Sequence, residues 1–130
     1  MQQPLELILM RQLASYLAMP VLIASQDGIV LFYNQAAESI LGRPFAEIGE
    51  RPLQDWMRDV HLYDEDGTLI PPQERPLPTA LRDHRPLHRR LRVQGLDGRM
   101  RRVEATVMPL QGQGGRVLGG AVIFWELDQP

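Results

Sequence analysis

Asp27-Gly28-Ile29-Val30-Leu31-Phe32-Tyr33-Asn34-Gln35-Ala36-Ala37-Glu38, continuing through Ile40-Leu41 to Gly42, changes its structural period halfway along. An Asp-Gly between two β-rich runs, Val21 to Ser25 before it and Ile29 to Tyr33 after it, marks a hairpin, because such turns favour residues that tolerate positive φ. Asn34 follows the second run directly. Its side chain is placed to accept a backbone N–H from the first turn of a helix over Gln35 to Leu41. Gly42 is a natural stop for that helix. On this reading Asn34 is a structural cap, not a ligand contact.

A second Asp-Gly, Asp97-Gly98, joins two longer strand patterns. From Leu87 to Gln94, Leu91 and Val93 share one face and His88, Arg90 and Arg92 the other, as in a half-exposed antiparallel strand. From Met100 to Leu110, Val103, Ala105 and Val107 share a face. Gly112 to Gly115 turns the chain again. The last run, Val117 to Leu127, is apolar on both sides, with Val122 and Phe124 on one and Ala121, Ile123, Trp125 and Leu127 on the other. Such a strand must be covered twice. It is expected at the centre of the sheet, with the main core below it and the N-terminal helix above.

That helix is read over residues 4–18. On a helical wheel Leu5, Leu9, Leu13 and Tyr16 make one stripe, and Leu7, Met10, Ala14 and Leu17 make a second beside it. Arg11, Gln12 and Ser15 mark the polar side. The combined apolar arc is far wider than the ~100° a surface helix needs. Either one deep groove takes both stripes, or one packs on the sheet and the other meets something else. Between Pro44 and Leu62 short helical pieces and no strand are expected, with Leu53, Trp56 and Met57 on one face. Asp64 to Gly67 is a loop, and a helix over Leu77 to Asp83 ends before Pro86.

The chain has 130 residues, 44% hydrophobic and 23% charged, which suits one compact domain. A net charge of -2 offers no basic footprint for nucleic acid or an acidic membrane. No apolar run approaches the roughly 18–20 residues of a membrane span. Met1-Gln2-Gln3-Pro4 lacks the basic start of a signal peptide, so a cytoplasmic location is expected. Cysteine is absent, which excludes disulfides, thiolate metal sites and a cysteine nucleophile. All 14 basic residues are arginine, which excludes Schiff-base chemistry and a P-loop lysine.

Over roughly residues 13–128 the chain resembles the PAS family of sensory domains. The resemblance rests on the Asp27-Gly28 hairpin, on Asn34-Gln35-Ala36-Ala37-Glu38 with Leu41-Gly42, and on the Asp97-Gly98 hairpin. Asp66-Gly67, Pro71, Glu74, Pro76-Leu77, Ala80-Leu81 and Met108-Pro109-Leu110 add to it. It implies an α+β fold, with a five-stranded antiparallel sheet of order 2-1-5-4-3 and short helices on one face. The N-terminal amphipathic helix would occupy residues 1–18 and the PAS domain residues 19–128. It also implies a module of bacterial signal transduction, as in two-component systems, that senses a ligand or partner and passes the signal to an effector. A GAF domain, with a similar sheet but usually a longer chain, is the alternative family. Many relatives end the last strand in a short coupling motif; Glu126-Leu127-Asp128 stands there instead, and this chain holds no effector domain. No enzymatic activity is expected of it.

Chemical motifs tested against this frame mostly fail. A flavin thiol adduct and a thiol-linked chromophore both need a cysteine. Oxygen-sensing relatives ligate haem through a histidine before the third strand, where Gln73 and Glu74 stand, so haem is not expected. His84 and His88 are separated by Pro86 and cannot share a helical face as a zinc pair. In the calcium-like Asp64-Glu65-Asp66-Gly67, the first and twelfth loop positions would be Leu62 and Gln73, and both fail. No metal site and no catalytic residues are therefore assigned.

What remains is a pocket under the helices. Its expected lining is Phe32, Ile40, Leu41, Leu53, Trp56, Met57, Leu77 and Leu81, with Leu91, Val93, Val103, Ala105, Val122 and Phe124 from the later strands. These residues either fill a dry core or enclose an apolar small molecule such as a fatty acid or an aromatic metabolite. A homodimer is the expected assembly, with Leu5, Leu7, Leu9, Met10, Leu13, Ala14 and Leu17 of the helix and Ile123, Trp125 and Leu127 of the last strand at the interface.

Overall fold

Both Asp-Gly hairpins form, and they set the sheet. The computed structural model describes residues 5–127, so Pro4, assigned to the first helix, and Asp128, assigned to the domain's end, lie outside the described residues. In chain order the elements are α1 (Leu5–Tyr16), β1 (Val21–Ser25), β2 (Ile29–Tyr33), α2 (Gln35–Leu41), α3 (Phe45–Ile48), β3 (Arg51–Pro52), α4 (Leu53–Asp59) and β4 (His61–Tyr63). A 3-10 turn over Pro72–Glu74 leads into α5 (Pro76–Asp83), β5 (Leu87–Gln94), β6 (Met100–Gln111) and β7 (Val117–Glu126).

The sheet has seven strands in the order β3-β2-β1-β7-β6-β5-β4, all paired antiparallel. This corrects the five-stranded expectation and its strand order, which lacked both edges. Two short strands add those edges: β3 pairs with β2 through Ile29 and Val30, and β4 pairs with β5 through Leu62 and its neighbours. β3 and the start of β4 fall between residues 44 and 62, where no strand was expected. Segments of two and three residues are too short to show a period of two. They form because the outer backbone groups of β2 and β5 need partners and the passing chain supplies them.

β7 occupies the centre, between β1 and β6. The approach to β1 depends on Gly119, whose φ of 155° suits glycine and whose Cβ would lie 2.0 Å from the Ala24 carbonyl oxygen. The sheet carries a core on each face. On the inner face α2, α4 and α5 bury Ala37, Ile40, Trp56, Leu77 and Leu81 against Leu22, Val30, Tyr33, Leu91, Val103 and Phe124. On the outer face Leu7 and Ala14 of α1 pack on Val21, Ile23, Leu31 and Leu118. α1 thus lies over β1 and β2 rather than directly above β7.

A β-bulge changes the face of one expected core residue. Ile23 pairs with Phe32, but Ala24 pairs with Val30, leaving Leu31 as the extra residue. Phe32 therefore packs with the outer layer and Tyr33 takes the inner face. The Arg11 guanidinium of α1 sits 4.9 Å over the Phe32 ring.

Asn34 does far more than cap α2. Its Oδ1 accepts from Ala37 N at 3.1 Å, the expected cap, and from Val21 N at 3.0 Å. Its Nδ2 lies within hydrogen-bond distance of the carbonyls of Ala14 (3.0 Å), Leu17 (3.2 Å) and Met19 (2.7 Å). The side chain is buried and holds the end of α1 against the start of β1.

The far end of α2 docks on the second hairpin. Gly42 closes the helix at φ 93°, and a Cβ there would meet Asp97 N at 2.6 Å. Leu96 N donates to the Leu41 carbonyl (2.8 Å), and buried Arg101 donates to the Ile40 carbonyl (3.0 Å) while pairing with Asp97 at 2.8 Å. The Arg101 hydrogen bonds hold the Asp97 carboxyl down at about 2.

Two outcomes follow for stability. Asn34→Ala, read by urea denaturation, lowers the unfolding free energy by about 3 kcal/mol, since buried backbone partners lose their bonds. Asn34→Asp costs at least as much, because it faces a second oxygen toward three carbonyls. For Asp97 the pKa is lower folded than unfolded, so its contribution is full above the usual carboxylate pKa and is lost as pH falls from about 4 toward 2. Asp97→Asn flattens that acid limb in denaturation midpoints measured across the range; an unchanged limb would show that other carboxylates govern it.

Candidate functional site

The inner core is not fully closed: a cavity of about 130 Å³ lies between the helices and the sheet. Alternation on the sheet builds its floor, since inward residues of β5, β6 and β7 recur every second position: Leu91 and Val93, Val103, Ala105 and Val107, Val122 and Phe124. The helical side comes from Leu41 at the end of α2, and from Leu53, Trp56 and Met57 on one face of α4. Val60 and Leu62 follow α4, and Arg75, Pro76, Leu77 and Pro78 come from the entry to α5. α4 is anchored at its start, where Leu53 N donates to the Gly28 carbonyl at 2.7 Å.

Of the expected lining, Leu41, Leu53, Trp56, Met57, Leu77, Leu91, Val93, Val103, Ala105, Val122 and Phe124 meet at this cavity. Phe32, Ile40 and Leu81 do not. The bulge turns Phe32 to the outer face. Ile40 is buried in the inner core near the second hairpin, to which its carbonyl is bonded. Leu81 packs over Gly120, where its Cδ2 would lie 3.3 Å from an added Cβ. Val107 shares the period of Val103 and Ala105, so its place in the wall was open to sequence reasoning. Arg75 was not, because nothing local marks an arginine in a Pro-rich entry as buried.

Two buried polar groups stand behind a wall whose own surface is almost wholly apolar. Trp56 packs edge-on against Tyr33, with ring centroids 5.5 Å apart, but its buried Nε1 has no hydrogen-bond partner. Arg75 donates from Nη2 to the Met57 carbonyl at 3.1 Å, while its buried Nε is also without a partner. Burial pulls the Arg75 pKa below the usual arginine value. Behind the wall, Tyr33 donates its hydroxyl to the Arg43 carbonyl at 2.7 Å. Burial, with Glu38 and Glu47 nearby, pushes its phenol up to about 12.

None of the three histidines lines the cavity, although His61 lies between the lining residues Val60 and Leu62. His84 is an exposed left-handed cap of α5, and His88 lies exposed on β5, bonded to Thr106 and Glu104. In the acidic turn, Asp64 and Glu65 pair with Arg89 and Arg102. No group of three or more His, Asp or Glu side chains that could hold a metal forms among the described residues. No helix among them is long and apolar enough to cross a membrane.

On α1 the two stripes separate. Leu7 and Ala14 are buried against the chain's own sheet, with Met10 and Ile123 half-buried in the same layer, so Leu7 and Ala14 are not free to meet a partner as expected. Leu5, Leu9, Leu13 and Tyr16 face outward, at 65%, 53%, 54% and 87% exposure, and Leu17 is exposed beyond them. Trp125 and Leu127 are half-buried at the end of the last strand.

Comparison with known proteins places this architecture. Among solved structures, the PAS domain of the fruit-fly ELK potassium channel superposes with a TM-score of 0.70 at 10% identity, covering 93% of this chain and 96% of that one. The PAS domain of nitrogen regulation protein NR(II) from Vibrio parahaemolyticus gives 0.63 at 20% identity, covering 92% and 98%. The PAS domain of Bordetella pertussis BvgS gives 0.64 at 17%, covering 95% and 87%. At such identities the likeness speaks for the fold alone. No curated protein sequence matches the chain. A family model described as the PAS fold matches residues 16–129, nearly the whole chain. With the hairpins, the capped helix and the central last strand in place, the chain belongs to the PAS family.

Proposed function

We propose that this domain is a sensory and dimerisation module of a cytoplasmic bacterial signal-transduction protein. It reports occupancy of the inner cavity to an effector domain or partner protein and performs no chemistry itself. The observation that carries the reading is the apolar cavity of about 130 Å³, walled by α4, the α5 entry and the sheet. Similar folds support the signalling role: one neighbour is a nitrogen regulation protein and another a PAS domain from a two-component sensor histidine kinase.

The route out of the cavity is β7. Val122 and Phe124 line the cavity, while Leu118 and Ile123 of the same strand join the layer beneath α1. The outward stripe of Leu5, Leu9, Leu13 and Tyr16 is an apolar surface larger than single scattered residues explain. A second copy related by a two-fold axis covers it, with Leu17, Trp125 and Leu127 at its margin. A stable interface would bury roughly 800 Å² on each copy.

Sedimentation velocity tests the assembly. The full chain runs as a dimer at tens of micromolar, and the paired substitution Leu9→Glu with Leu13→Glu gives a folded monomer. A monomeric wild-type chain would end the dimer reading. Native mass spectrometry and an absorption spectrum test the sensor: a small bound mass without a Soret band is expected. A Soret band would replace the apolar ligand with haem.

A further inference from the structure

We propose that the occupant of the cavity is a small carboxylic acid, its carboxylate paired with Arg75 and its apolar body held against α4 and the sheet. This rests on the reading of the cavity as a ligand site. Arg75 is 6% exposed and lines the cavity. No carboxylate pairs with it among the described residues. Among the described residues its guanidinium makes one hydrogen bond, to the Met57 carbonyl in the last turn of α4, and its Nε has none. The other buried arginine, Arg101, has Asp97 at 2.8 Å. A buried cation without a counter-ion is among the costliest groups a fold can carry, so an anion is the missing partner.

A second donor, shielded just behind the same wall, points the same way. Trp56 Nε1 is buried and unpartnered. Among the described residues, the buried side-chain atoms without partners are both N–H donors, and none is an acceptor. A carboxylate offers two acceptor oxygens that suit a guanidinium fork and leave lone pairs over. A neutral carbonyl would answer the donors but leave the charge unpaired. A phosphate would bring further oxygens that the otherwise apolar wall cannot serve.

Size narrows the class. An apolar cavity of about 150 Å³ holds benzene. The present cavity, about 130 Å³, therefore suits an aromatic ring or a short branched chain rather than a long acyl tail.

Calorimetry on the full chain with benzoate, phenylacetate, benzamide and toluene tests the proposal. The two carboxylates bind at least tenfold more tightly than the neutral probes at pH 7. Arg75→Met weakens benzoate by at least tenfold and leaves toluene unchanged or tighter. Trp56→Phe weakens benzoate by a smaller factor. Should Arg75→Met fail to fold, the comparison of charged and neutral probes on the wild-type chain decides alone. Equal binding of benzoate and toluene overturns the carboxylate and leaves the cavity as a ligand site. Binding of no probe, together with a higher melting temperature for Arg75→Met, overturns both, and Arg75 then serves only to cap α4.

Discussion

The buried amide of Asn34 stands where four segments meet: the ends of α1 and β2 and the starts of β1 and α2. Each of its hydrogen bonds contributes only about 1 kcal/mol net, similar to or less than burying one leucine of α1. Burial of Leu7 and Ala14, however, has no direction; it would tolerate sliding and rotation of α1 on the sheet. The five backbone groups around Asn34 fix where α1 ends, which face it turns outward and where α2 begins. The rest follows in order. α2 runs from that cap to Gly42, docks on the Asp97 hairpin, and there brings Leu41 to the cavity wall.

What could be read from the sequence tracks how far each feature extends along the chain. β5 and β6 alternate over eight residues or more and β7 over its second half, and their inward side chains line the cavity as the period requires. The two stripes of α1 were visible for the same reason, since each recurs over several turns. The edge strands were not, because two or three residues carry no period. Phe32 went to the wrong face because a bulge is one unpaired residue, and Leu31 looks like any other strand residue. Arg75 was missed for another reason. Its burial arises from where the Pro-rich entry to α5 crosses the end of α4, which is tertiary information. The cap role of Asn34 was legible and its grip on α1 was not, since those partners lie 15 to 20 residues away.

The placement of α1 has a physical cause in the outer face of the sheet. Over β1 and β2 that face is Val21, Ile23, Leu31 and Phe32. Over β5 and β6 it is polar: His88 bonds to Thr106 and Glu104, and Arg90 reaches the same carboxylate. Docking α1 there would strip water from charged groups that gain little from one another at the surface. α1 therefore settles over the apolar half, and its Arg11 side chain closes the edge over the Phe32 and Phe45 rings. The cost of this position is a second apolar stripe turned to solvent.

β1, β2 and β7 are each packed on both faces, and of these β7 is the one that lines the cavity. Over Val122, Ile123 and Phe124 β7 alternates inward and outward, so residues that floor the cavity and one beneath the outer layer are covalent neighbours. On the proposed reading, coupling needs no long pathway. A ligand that fills the cavity presses on Val122 and Phe124, and any shift of the strand moves Ile123 beneath α1. Gly119 and Gly120 sharpen the constraint. β1 crosses Gly119 at backbone contact, and Leu77 and Leu81 of α5 lie over Gly120. On that reading, with so little slack at that end of the strand, displacement is expressed toward its other end, at Trp125. Typical coupling between two sites is about 1–3 kcal/mol, which is on the scale of repacking one or two side chains. On the proposed reading, a strand packed on both faces and pinned at one end carries a signal of that size.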